Sequence, residues 1–83
     1  MNVGSDVMIV GGVSHFEHGQ IVEIDERYEI PFALVTLRRK DGKLSQKQTL
    51  VPLKRCHVMP DHVIKMHEDD RQAWMHKWHK GAL

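Results

Sequence analysis

The chain has 83 residues, with 12 lysine or arginine, 11 aspartate or glutamate and one cysteine. That length makes one domain burying only about 60% of its unfolded surface, too little to spare for a deep catalytic cleft. Cys56 alone excludes an internal disulfide framework and suits a reducing cytosol; no apolar run approaches a bilayer span or follows a signal pattern, so a soluble cytoplasmic protein is expected.

Gly4-Ser5-Asp6 marks a turn before a first strand over about 6–10, where Val7 and Ile9 alternate with Met8 and Val10. A loop over 11–18 follows, then a second strand from Gly19 to about Glu26 with Ile21 and Ile24 as its most apolar positions. Gly12 and Gly19 are expected to take backbone angles that a Cβ penalises. Pro31 belongs at the start or edge of a third strand over 32–38, since it cannot donate to a ladder. Asp41-Gly42 supplies a hairpin turn, and a polar fourth strand over about 43–49 reads as an edge. Val51 to Arg55 reads as a short helical turn and Cys56 to Met59 as a brief fifth strand. After Pro60 the period changes, predicting a helix from an Asp61 N-cap to about Lys80, stopped by Gly81 and open to a break near 66–68. Trp74 and Trp78 share a face four residues apart and must pack on something. That face caps the body of the protein, or docks a partner or a second copy. The whole reads as mainly β: a five-stranded antiparallel barrel over 1–60 and a C-terminal helix over 61–83, closure disposing of exposed edges.

The pattern Val7-x-Ile9-x-x-Gly12, six residues, Gly19-x-Ile21-x-x-Ile24 resembles the KOW motif of SH3-like barrels in ribosomal proteins and transcription-elongation factors. Such proteins show one glycine after the first strand, a second four residues on and a third another three on. Gly12 and Gly19 match the first and third; Phe16 stands at the second, and His15 where lysine is common. The Val51-Pro52-Leu53 turn also looks like an SH3-like barrel, an outline shared by small photosynthetic subunits that bind proteins. The resemblance implies an SH3-like barrel that binds RNA or protein and catalyses nothing.

Net charge is +1 but segregated: 1–35 carries six acidic residues against Arg27, and 36–60 seven basic ones against Asp41. Arg38, Arg39, Lys40, Lys43 and Lys47 can neutralise phosphates along a nucleic-acid backbone, with Lys43 and Lys47 on one face of a regular strand; the alternative is a solvated hairpin whose lysines guard an edge. Phe16, Tyr28 and Phe32 are the aromatic stacking candidates outside the helix. His15, Phe16 and His18 sit on the loop, where histidine protonation would tune binding to an anion. His76 and His79 have a metal-capable spacing, yet no Cys-x-x-Cys framework accompanies them, so surface histidines are expected and neither metal nor cofactor. Cys56 and His57 are strand neighbours pointing to opposite faces, unsuited to act as nucleophile and base. The expected role is a non-catalytic module associating with nucleic acid or a ribonucleoprotein or transcription machine through the 12–19 loop and the 38–47 hairpin. The alternative is a protein adaptor or accessory subunit, gripping through the loops or the Trp74/Trp78 face, which could also join copies into an oligomer.

Overall fold

In the computed structural model, which describes residues 1–82, the apolar runs become β1 (Asp6–Ile9), β2 (His18–Asp25), β3 (Phe32–Arg38), β4 (Leu44–Pro52) and β5 (Cys56–Val58). They form one antiparallel sheet of order β4-β3-β2-β1-β5, so the mainly-β class with a C-terminal helix holds. The expected closure is not seen: β4 and β5 remain edges of the sheet among the described residues. The polar run Ser45 to Thr49 lets β4 leave its outer backbone groups in water, and Lys47 discourages pairing with another chain.

Period-two alternation is clearest in β3, where Ala33, Val35 and Leu37 are buried and Phe32, Leu34 and Thr36 lie on the other face. The buried set meets Val7, Ile9, Ile21, Val51 and Cys56 in a first core cluster, with Ile24 and Leu53 packed against it. A β-bulge between Ile21 and Glu23 returns Ile24 to that cluster after an interval of three, leaving Val22 and Glu23 in water. Gly19 is required for a reason other than the expected one. Its φ is not positive; instead, a Cβ there would overlap the carbonyl oxygen of Thr36 and stand 2.8 Å from Cα of Leu37. Gly12 does take the left-handed conformation, at φ +73°.

The helical region divides as its sequence suggests, into α1 (Asp61–Ile64) and α2 (Glu68–Ala82). Its ends differ from expectation. Pro60 occupies the N-cap with no side-chain capping bond, and α2 continues through Gly81. β4 runs on through Val51 and Pro52, so the helical turn before β5 is confined to Leu53–Arg55 and is 3₁₀; proline is tolerated there because β4 is an edge. α1 and α2 pack on the outside of β1, where Met8, Phe16, Met59, Val63 and Met75 form a second cluster flanked by Trp74 and Trp78. Val7, Met8 and Ile9 are therefore all fully buried. A strand covered on both faces reads as a continuous apolar run rather than an alternation, and Val7-Met8-Ile9-Val10 is one.

Candidate nucleic-acid interface

The β3–β4 hairpin is built by local chemistry. Gly42, at φ +87°, donates its amide to the carbonyl of Arg39 at 2.9 Å, and the Arg39 amide donates to the carbonyl of Lys43 at 2.8 Å. The Asp41 carboxylate accepts from the Lys43 amide at 2.9 Å, and that bond holds its pKa below the usual value. The register then shifts between Thr36 and Arg38, and Ser45 Oγ donates to the carbonyl of Leu37 while accepting from the Lys47 amide. This irregularity breaks the regular strand on which a shared face for Lys43 and Lys47 depended.

Beside the hairpin lies an open groove of about 820 Å³ lined by Glu17, Leu37, Arg38, Arg39, Lys40, Leu44, Ser45, Gln46 and Lys47. The structure thus gathers four of the five basic residues picked out in the sequence, and Lys43 stands outside the lining. Their availability differs. Arg38 is half-buried and committed: Nε donates to Asp6 Oδ1 at 2.7 Å and Nη1 to the carbonyl of Gly42 at 2.6 Å. It fastens the hairpin to β1. Arg39 pairs with Asp41 at 3.2 Å in the open. Lys40, Lys43 and Lys47 are exposed and have no acidic partner at ion-pair distance among the described residues.

The loop between Gly12 and Gly19 shows Val13, His15 and Glu17 to solvent and turns Phe16 and His18 inward. The Ile9 amide donates to the carbonyl of Glu17, and the Phe16 amide to the carbonyl of Ile9, strapping the loop onto the end of β1. Phe16 is buried with φ +64°, the one non-glycine residue in that region among those described. It stacks on His15 at 3.9 Å between ring centroids and meets the edges of His76 at 4.3 Å and His79 at 5.6 Å. His15 stays exposed, its Nδ1 accepting from the Gly11 amide at 2.7 Å. His18 is buried, Nε2 lying 3.4 Å from Nη1 of Arg71. Burial first, and the Arg71 charge second, push its pKa below 6.5.

Arg71 is the residue that sequence reasoning misses. It is 1% exposed and donates to the carbonyls of Val63, Ile64 and Met66 and to the Glu68 carboxylate. Val63 also accepts from the Met66 amide, so Arg71 satisfies two otherwise unpaired carbonyls around the α1–α2 break, those of Ile64 and Met66. A signal was present, since Arg71, Trp74, Met75 and Trp78 fall at i, i+3, i+4 and i+7 on one helix face. Trp74 and Trp78 pack against the second cluster, Trp78 at 4.8 Å from the ring of His57, and each keeps part of its surface in solvent.

Cys56 lies in the first cluster and His57 against Trp78, on opposite faces as strand neighbours should; burial raises the thiol pKa. Among the described residues no three His, Cys, Asp or Glu side chains converge as a metal site, and no helix is long and apolar enough to cross a membrane. Of the acidic first half, Asp6 and Glu17 lie with the basic hairpin and the 23–29 segment stands away from it. β2 and β3 pair from Gly19↔Leu37 to Asp25↔Phe32, placing the acidic 23–29 segment and the basic hairpin at opposite ends of the ladder, roughly 20 Å apart at ~3.3 Å per residue. Comparison with protein-family models, with curated proteins and with solved structures found no match.

Proposed function

We propose that the chain is a non-catalytic module of the SH3-like barrel, KOW type, its sheet left open between β4 and β5, and that it binds nucleic acid, free or within a ribonucleoprotein or transcription machine, through its β3–β4 hairpin. The fold half of this reading is supported by the strand order β4-β3-β2-β1-β5 and by the 3₁₀ turn between the last two strands. Phe16, standing where a KOW motif carries its middle glycine, has the positive φ that glycine adopts without strain.

One observation carries the binding half: Lys40 and Lys47 on an open groove, with Lys43 on the adjoining turn, are exposed and have no acidic partner at ion-pair distance among the described residues, at the end of the sheet away from the acidic 23–29 segment. Contacts with phosphate dominate affinity for nucleic acid and require such cations. Base stacking contributes little, because Phe16 is buried and Tyr28 and Phe32 pack on each other at the acidic end. Binding is therefore tolerant of sequence. Phe16 and His18 support the loop from within and do not touch the ligand. Glu17, on the groove wall, opposes an anion.

The test is binding of mixed RNA and DNA oligonucleotides across a salt series. Affinity should fall steeply with salt. Lys40→Glu with Lys43→Glu should lower it and flatten the salt slope by about one for each phosphate no longer neutralised. Glu17→Gln should strengthen binding. Absence of binding at low salt, or a slope unaltered in the double variant, rules the reading out.

A further inference from the structure

The second cluster covers the outside of β1, and Arg71 of α2 covers His18 at the start of β2; beyond that, no helix lies over the outside of β2, β3 and β4 among the described residues. On that face Leu34 stands opposite both Glu23 and Leu50, and Phe32 opposite Asp25 and Pro52. Leu34 and Leu50 belong to neither core cluster, and half of Leu50 is in water. Tyr28, also half exposed, leans its ring on Phe32 at 5.2 Å. Between them lies a notch of about 240 Å³, lined by Glu23, Asp25, Arg27, Tyr28, Leu34 and Leu50. That volume is below the range of small-molecule pockets, about 300–1,000 Å³, and suits a single long side chain.

Charge selects the occupant. Residues 22–30 carry Glu23, Asp25, Glu26 and Glu29 against Arg27 alone. Arg27 is already committed to Asp25 at 2.6 Å, and the pairing holds the Asp25 carboxyl down to about 2. Glu23 has no basic partner at ion-pair distance among the described residues, and the bulge after Ile21 turns it, with Val22, toward water beside Leu34. An apolar floor with a free carboxylate at its rim fits a side chain that is aliphatic along its stem and cationic at its head. Tyr28 offers that head an aromatic face.

We propose that this notch docks a segment of a partner protein bearing a lysine or arginine beside an aliphatic residue, the stem lying over Leu34 and Leu50 and the charge meeting Glu23. The surface is at the opposite end of the sheet from the basic hairpin and repels nucleic acid. It is thus independent of the binding role proposed above.

The experiment is a ¹⁵N chemical-shift titration of the full chain with a synthetic peptide, acetyl-Gly-Lys-Leu-Lys-Leu-Gly-amide. Two control peptides replace its lysines by glutamate or its leucines by serine. The expected result is saturable shifts confined to 22–34 and 48–52 with the first peptide. Affinity should be about tenfold weaker in Glu23→Lys and in Leu50→Ser, both exposed positions whose replacement leaves the core intact. Equal response to all three peptides, shifts centred elsewhere, or no shifts overturns the proposal. So do shifts of these residues on dilution of the peptide-free protein, which would assign the face to a second copy of the chain.

Discussion

Nη1 of Arg71 lies 3.4 Å from Nε2 of His18, two buried side chains brought together from positions 53 residues apart. Arginine can only donate, so Nε2 accepts and the imidazole is neutral, with its proton on Nδ1. Protonating His18 would set two cations against each other in a space with little water.

The first prediction follows from that neutrality. The folded pKa of His18 is below its unfolded value of 6.5, burial being the main cause and Arg71 the next. The stability it contributes is fully present above pH 6.5. Below that, the unfolded chain takes up a proton that the folded chain refuses, and this stability is lost as pH falls through the folded pKa. Urea unfolding from pH 8 to pH 5, straddling the ordinary histidine range, should show a steeper loss for the native chain than for His18→Gln. Parallel curves would contradict the assignment.

Arg71→Ala strands the carbonyls of Ile64 and Met66 and leaves Glu68 without its cationic partner. Destabilisation of about 3–5 kcal/mol is expected from removing one member of a buried charged network. Hydrogen exchange should accelerate first around residues 61–71. A loss below about 1 kcal/mol, the worth of one ordinary hydrogen bond, would mean that the arginine fastens nothing.

Two glycines of the KOW-like pattern should respond differently to alanine. At Gly19 the obstacle is backbone, the Thr36 carbonyl and Leu37 Cα, so β2 and β3 must part; the expected loss is about 3 kcal/mol or more. At Gly12 the nearest atom is Nη1 of Arg55 at 2.6 Å, the far end of a flexible side chain, leaving mainly the positive-φ penalty. That amounts to about 1 kcal/mol. Thermal melts of the two variants give the order directly.

Phe16 tests how strain and burial balance. Its left-handed backbone costs about 1–2 kcal/mol, while burying the ring contributes about 1.5–3 kcal/mol, so the residue is retained in spite of its angle. Both Phe16→Ala and Phe16→Gly lose the ring, but only glycine relieves the backbone. The glycine variant should be the more stable of the two by about 1 kcal/mol in denaturant titrations.

Trp78→Ala and Trp74→Ala should lower the melting temperature without moving the elution volume in size-exclusion chromatography, because both indoles pack on the second cluster. Dissociation at unchanged stability would instead identify the helix as an interface.

Whatever a few neighbouring residues can enforce is legible in the chain before it folds. Alternation places β3 over 32–38, Asp41-Gly42 bends the hairpin, polar composition sends β4 to an edge, and the change of period after Pro60 announces the helices. Each rests on interactions spanning about two to four residues. Which side chains of the 12–19 loop face water is settled only by assembly, because Phe16 and His18 are covered by a helix more than 50 residues further along. Assembly likewise settles that Gly19 is needed for a close approach of strands, that Arg38 is spent on Asp6, and that the acidic 23–29 segment and the basic hairpin stand at opposite ends of the sheet. Burial and pairing depend on which distant segments meet, and local periodicity carries no record of that meeting.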